Sequence, residues 1–151
     1  MITIDEFKKK NINKVRFLGL DLGSRRIGVS ICDERQSIAT PFKTINKTNT
    51  NDLIDELKLI INDNNIGGLI IGNPINMDGS TGRSAQSVND VATNISKSIN
   101  LPVILWDERL STVGAFNLSS LLDVNVSKRV KTIDQNAAAF ILQGAIDFLN
   151  N

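Results

Sequence analysis

The sequence predicts an α/β fold built on a five-stranded mixed sheet, with the first three strands antiparallel, the later strands parallel, and helices on the flanks. Three observations carry this expectation. Three strand-like segments follow one another near the start, from about Val15 to Leu22, Ile27 to Cys32 and Ser37 to Ile45, separated by turn-forming residues. After Asp52, helical and strand periodicities alternate, which is the pattern of strands joined by crossover helices. One later strand, Leu69 to Ile71, is wholly apolar, as a strand covered on both faces should be.

Composition narrows the chemistry. The chain has 151 residues, enough for one domain with a proper core, and its 41% hydrophobic and 22% charged content suits a soluble globular protein. No apolar run reaches membrane-spanning length, and MITIDEFKKKNINK lacks a signal-peptide core. The single cysteine, Cys32, permits no internal disulfide and points to a reducing compartment, hence the cytoplasm, with no membrane partner. Histidine is absent, which excludes Ser-His-Asp and Cys-His schemes and His-ligated zinc. Tyrosine is absent too, so acid-base or metal chemistry must rest on Asp and Glu. A net charge of +1 means that any nucleic-acid footprint is a local patch.

Residues 1–14 read as a short amphipathic lead-in with Asp5 as its N-cap, and residues 15–151 as a single domain. The lysine run Lys8 to Lys10 reads as a solvated end, with phosphate contact as the second reading. In Phe17 to Asp33, FLGLDLGSRRIGVSICD, alternation places Val15, Phe17, Gly19, Asp21 and Gly23 on one face and Leu18, Leu20 and Leu22 on the other. Asp21 is thus flanked by two glycines, which leave room for a ligand or another backbone. A charged carboxylate among apolar neighbours is costly unless it is paired or holds a metal. The alternative is a strand-end Asp that caps a turn. Cys32 reads as a small core residue. Pro41 marks the third strand as an edge or a bulge.

Asp52 to Asn64 carries Leu53, Ile54, Leu57, Ile60 and Ile61 at helical spacing, closed by Gly67 and Gly68. After the apolar strand come Gly72-Asn73-Pro74 and a turn-rich loop, Asn76 to Arg83. Ser84 to Ile99 reads as a helix with Val88, Val91, Ala92 and Ile95 on one stripe. Pro102 to Trp106 is the fifth strand, followed by Asp107-Glu108-Arg109. Ser111 or Thr112 caps a third helix holding Val113, Phe116, Leu118 and Leu121. Asp123 to Lys131 is polar and basic. A last helix runs from about Thr132 to Asn150, with Ile133, Ala137, Phe140, Ile141 and Ile146 as its core positions.

In such sheets, binding sites gather at the carboxyl ends of the parallel strands. Asp21, Asn73 and the pair Asp107/Glu108 all fall at or near such ends. With no His and no other Cys, the donors are oxygens, which suits Mg²⁺ or Mn²⁺. Phosphodiester hydrolysis uses such ions to activate water and to steady the leaving oxygen. Asp21, Asp107 or Glu108, and Asp134 are the candidate acids. Alternation pairs Asp107 with Val103 and Leu105, and Glu108 with Ile104 and Trp106, and leaves open which faces the site. A salt-bridged strand end is the structural alternative for this pair, and Arg109 can hold one of them or join the cations. Asp134 precedes Ala137 and Ala138, small residues that let a helix come close to a sheet; the alternative is an acid near a helix N-terminus capped by Thr132. Arg25, Arg26, Arg83, Lys128, Arg129 and Lys131 are candidate phosphate contacts. The loop has no GxxxxGK[ST] pattern, so a P-loop is unsupported.

Four stretches in this order resemble the YqgF/RuvX family: LDLGSRRIGVS at 20–30, GNPINMDGSTGRSA at 72–85, DERLST at 107–112 and SKRVKTIDQNAAAFIL at 127–142. The resemblance implies an RNase H-like fold and a divalent-metal nuclease that trims the 5′ end of pre-16S ribosomal RNA, with the small-subunit precursor as partner. The metal acids that it implies are Asp21, Asp107 or Glu108, and Asp134. Two positions depart from the family pattern, Asn73 where leucine is usual and Leu22 where an aromatic or similar residue is usual. The rival readings are a Holliday junction resolvase cutting branched DNA, an rRNA-binding assembly factor that does not cut, and an actin-like phosphotransfer fold. The last needs two such domains around a nucleotide.

Overall fold

The structure is a computed structural model describing residues 1–23, 25–46, 49–74, 83–107 and 126–151, with side chains described except at 83–85 and 126–135. The elements, in order, are α1 (Ile4–Lys9), β1 (Arg16–Leu22), β2 (Arg26–Cys32), β3 (Ala39–Asn46), α2 (Thr50–Asn64), β4 (Ile66–Asn73), α3 (Arg83–Ser98), β5 (Val103–Asp107) and α4 (Val126–Leu149). The sheet order is β3-β2-β1-β4-β5. β1 pairs antiparallel with β2, β2 antiparallel with β3, and β4 runs parallel to both β1 and β5. This is the expected mixed sheet, with β1 at its centre between β2 and β4.

Each face of the sheet has its own core. On one side Leu18, Leu20, Leu69, Ile71 and Val103 pack with Leu53, Leu57 and Ile60 of α2 and with Val88, Ala92 and Ile95 of α3. On the other, Phe17, Ile70, Ile104 and Trp106 pack with Phe7 of α1 and with Ile141, Leu142, Ala145 and Ile146 of α4. Of the stripe expected on α3, Val88, Ala92 and Ile95 are buried and Val91 is partly so. On α4, Ala138, Leu142 and Ala145 lie deepest, all fully buried, and Phe140 sits at the margin.

β3 is an edge strand, and its pairing with β2 slips between Val29 and Ser30, where Val29 faces Lys43 and Ser30 faces Pro41. Pro41 therefore marks both an edge and a bulge, because it has no N–H to give to a ladder.

Four expectations are corrected. The N-cap of α1 is Thr3, not Asp5: its hydroxyl accepts the Glu6 N–H at 3.1 Å and donates to the Glu6 carboxylate at 3.2 Å. Gly67 and Gly68 do not end α2. That helix ends at Asn65 in the left-handed conformation (φ 54°), and both glycines lie inside β4. They are small because the lead-in packs on them, and a Cβ at Gly68 would stand 2.7 Å from the Phe7 ring, one at Gly67 2.4 Å from Val15. Finally, α4 begins at Val126, so positions 128, 129 and 131 belong to the start of a helix and not to a loop. Asp134, eight residues past Val126, is beyond the first turn, where the helix dipole favours an acid.

The loop Asn76 to Arg83, apart from the backbone of residue 83, and the helix expected over Val113 to Leu121 lie outside the described residues.

Candidate active site

Asp21 is set by the alternation of β1. Leu18 and Leu20 go into the core shared with α2 and α3, so Phe17, Gly19 and Asp21 face α4. Asp21 pairs across the ladder with Gly28, and Gly19 with Ser30. Asp21 is half-buried at the strand's carboxyl end, and it has an interaction partner.

The two flanking glycines do not leave open space. A Cβ on Gly19 would lie 2.4 Å from Ser30 Oγ, 2.7 Å from Leu142 Cβ and 2.8 Å from the Ala138 carbonyl oxygen. A Cβ on Gly23 would lie 2.4 Å from the Arg26 carbonyl oxygen. At Gly23 it is another backbone that comes close, and at Gly19 it is the Ser30 and Leu142 side chains with the α4 backbone. Gly23 closes the β1–β2 hairpin, its N–H donating to the Arg26 carbonyl at 3.0 Å. Gly19 is the seat of α4.

The Ser30 hydroxyl fastens that seat. It is fully buried and donates to the Ala138 carbonyl at 2.7 Å, with the Gly19 carbonyl at 3.3 Å. Gln143 fixes the next part of the helix, accepting the Ala39 N–H at 2.8 Å and donating to the Ser37 carbonyl at 2.9 Å. Asn150 donates to the Gln36 carbonyl at 2.9 Å. Gln36 belongs to the β2–β3 turn, at the end of the sheet where β1 begins. The helix thus runs from the Asp21 end of β1 towards its Arg16 end. Four residues back from Ala138, to position 134, is a rise of about 6 Å. Two residues on from Gly19, to Asp21, is a rise of about 6.6 Å. The backbone at 134 therefore stands level with Asp21, and positions 134 and 138 share a helical face.

Sequence reasoning missed Ser30 and Gln143. The signal for Ser30 was a hydroxyl amid the apolar run Ile27 to Cys32; nothing local marks Gln143.

Asn73 and Asp107 are cross-strand partners at the carboxyl ends of β4 and β5. Their faces differ from that of Asp21. Ile104 and Trp106 pack on the α4 side while Val103 and Leu105 pack on the α2/α3 side, so alternation gives Asp107 the latter. Asn73 follows Leu69 and Ile71 to that same side. Asp107 has an interaction partner of its own. Arg25 and Arg26 are exposed at the hairpin just past Asp21, and Arg26 is engaged in an interaction. Glu108 and Arg109, and the side chains of Arg83, Lys128, Arg129, Lys131 and Asp134, lie outside the described residues. Among the described residues no three His, Cys, Asp or Glu side chains converge. No helix among them is long and apolar enough to cross a membrane.

Cys32 behaves as the core residue expected of it. Burial raises its thiol pKa, against the opposing effect of the Phe17 N–H that donates to Sγ at 3.1 Å.

The family model for RuvX, described as a Holliday junction resolvase, matches residues 15–148. A protein of Pelagibacter ubique (strain HTCC1062) named "Putative pre-16S rRNA nuclease" is 89% identical over 151 residues, covering all of both chains. A protein of the same name from Sphingopyxis alaskensis is 44% identical over 135 residues, covering 89% of this chain and 88% of its own. Among solved structures, Thermus thermophilus RuvC in complex with a Holliday junction substrate superposes with a TM-score of 0.53 at 9% identity, covering 84% of this chain and 91% of that one. This last likeness concerns the fold, which is the RNase H-like one. From the matched span and the full-length relatives, the chain belongs to the RuvX family.

Proposed function

We propose that this protein is a metal-dependent nuclease that processes the 5′ end of pre-16S ribosomal RNA. The observation that carries the reading is the seating of α4 on Gly19 and Ser30, from which the backbone at position 134 falls level with Asp21. The names of the full-length relatives supply the substrate class.

In this reading Asp21 and Asp134 hold divalent metal, Mg²⁺ or Mn²⁺, and Glu108 completes the set. The donor set fits such an ion: it is all oxygen, and the chain has no histidine. The choice of Glu108 over Asp107 rests on β5, whose alternation turns Asp107 away from the Asp21 face and so leaves Glu108 as the remaining acid of the pair. A bound ion would sharpen the acidity of a water and offset charge on the departing oxygen. The protein's own part is positional. Asp21 sits half-buried on a central strand, and α4 is bolted to the sheet at Ala138, one turn from position 134. Arg25 and Arg26 flank the site, and Lys128, Arg129 and Lys131 lie along the first two turns of α4, where phosphate offsets their unfavourable position on the helix dipole. Arg83 and Arg109 extend the same footprint. Hydrolysis adds water across a P–O bond, leaving one phosphate monoester and one hydroxyl. The setting in this proposal is the cytoplasm.

The test is incubation of the pure protein with Mg²⁺ or Mn²⁺ and two labelled substrates, a precursor rRNA end and a four-way DNA junction. The expected result is metal-dependent cutting of the RNA that is lost in Asp21→Asn. Cutting of the junction alone would transfer the reading to the resolvase named in the family description. Binding in EDTA with no cutting under either metal would replace it with an assembly factor.

A further inference from the structure

The family match begins at residue 15, yet residues 1–14 are a docked part of the molecule. Phe7 is 2% exposed and meets Phe17 edge-on, with ring centroids 5.1 Å apart. The Ile2 N–H donates to the Val103 carbonyl at 3.1 Å. The segment is therefore held at a fixed place, at the end of the sheet where β1 begins, opposite to Asp21.

Three segments meet there. Gln36 of the β2–β3 turn donates to the carbonyls of Ile12 at 2.9 Å and Val15 at 3.1 Å, which draws Arg35 beside the lead-in. Asn65, at the α2–β4 junction, donates to the Lys14 carbonyl at 3.2 Å and accepts the Arg16 N–H at 3.1 Å. Every described non-glycine residue with a left-handed φ lies in these three segments: Asn11 (49°), Lys14 (63°), Gln36 (57°) and Asn65 (54°). Lysine and glutamine gain little from that conformation, so it is the surrounding bonds that hold them in it.

The shape so held displays positive charge. Lys9, Lys10, Lys14 and Arg35 are exposed and form no ion pair among the described residues. Arg16 Nε is buried with no hydrogen-bond partner at the same end. The acids of the same segments, Asp5, Glu6, Asp33 and Glu34, are outnumbered by Lys8, Lys9, Lys10, Lys14, Arg16 and Arg35, and two of these acids make hydrogen bonds rather than ion pairs with the cations. Glu6 bonds to Thr3, and Asp33 accepts from Ser37 and Ile38. Lys8 is also occupied, by the Asn151 carbonyl and the Phe148 ring, and adds nothing to the free set. A merely solvated lysine run would not need a buried phenylalanine to anchor it or a second segment to bring an arginine alongside.

We propose that this end of the molecule is a second contact surface for the phosphate backbone of the RNA, remote from the cleavage site. The inference rests on the nucleic-acid reading of the function. The two ends lie about 20 Å apart along β1, from the seven residues of that strand at about 3.3 Å each. At about 3.4 Å per nucleotide along one strand, the surface would engage RNA about six or more nucleotides from the cut.

The experiment uses the full chain carrying Lys9→Gln, Lys10→Gln, Lys14→Gln and Arg35→Gln, with an all-arginine version of the three lysines as the conservative control. Equilibrium binding to labelled single-stranded RNAs of about 5 and about 20 nucleotides is measured from about 50 to 200 mM salt. For the longer RNA, the plot of log K against log salt should become shallower by about 2 to 3, with at least a tenfold loss of affinity at the low-salt end. Binding and cleavage of the short RNA should not change, and the arginine version should keep the wild-type slope. An unchanged slope on the long RNA overturns the proposal and leaves the nuclease reading intact. Equal losses on both RNAs would also overturn it, by assigning these cations to the cleavage end. A wild-type chain that bound neither RNA would remove the functional reading and this inference with it.

Discussion

Ser30 Oγ lies 2.7 Å from the carbonyl oxygen of Ala138, a bond between a central strand and a helix that are 108 residues apart in the chain. It has a neighbour in Gly19, whose missing side chain is what lets the helix come that close. Ser30→Ala should cost about 1 kcal/mol, since the Ala138 carbonyl keeps its helical bond. Gly19→Ala should cost more, about 1–3 kcal/mol, because its Cβ overlaps three neighbours that cannot all withdraw. Urea unfolding of the two variants checks the order. In the nuclease reading Gly19→Ala also lowers cleavage, as the helix bearing Asp134 is pushed off the sheet.

Asp21→Asn and Asp134→Asn should each abolish metal-dependent cleavage while leaving the unfolding midpoint within about 1 kcal/mol of wild type. Full activity in either variant, measured as turnover of the precursor rRNA end, rejects the ligand assignment.

The neighbours Asp107 and Glu108 should separate. Glu108→Gln is expected to lose cleavage and Asp107→Asn to retain most of it, because alternation along β5 gives Asp107 the face away from Asp21. A side-by-side rate measurement under the same metal decides. The opposite ranking would place the strand's turnover point one residue earlier.

Asp33 predicts an acid-sensitive turn. The backbone N–H groups of Ile38 and Ser37 hold its carboxylate at a pKa of about 2, below the ordinary 3.8. A lowered folded-state pKa means that the stabilisation is complete above the ordinary value and is lost as pH falls from about 4 towards 2. In Asp33→Asn the fall in stability over that window should be smaller, as followed by thermal unfolding at stepped pH.

Cys32 should react slowly with a thiol reagent in the native protein and quickly in denaturant, since burial raises its pKa and so withholds the thiolate. Native and unfolded rates that agree would place the thiol at the surface.

Much of this architecture was legible because it is written locally. The alternation Phe17, Gly19, Asp21 against Leu18, Leu20, Leu22 assigned both faces of β1 correctly, and Pro41 announced the edge and the bulge by what it cannot donate. What could not be read depends on partners far away. Gly67 and Gly68 look like helix breakers until Phe7 and Val15 are seen to need their space. Ser127 to Lys131 has too few apolar residues to signal a helix, yet α4 begins at Val126, so here packing and not propensity decides. The candidate acids were chosen by residue type and by position, Asp21 and the Asp107/Glu108 pair at strand ends and Asp134 in the last helix. That Asp107 and Asp21 leave their strands on opposite faces required the register of β5.

The bulge at Pro41 and the hydrogen bond from Ile2 act together on the margins of the sheet. One border is bent and short of a donor, and the other already has a segment of its own chain laid against Val103. A strand from another molecule would find poor purchase at either place, which guards the sheet against edge-to-edge aggregation.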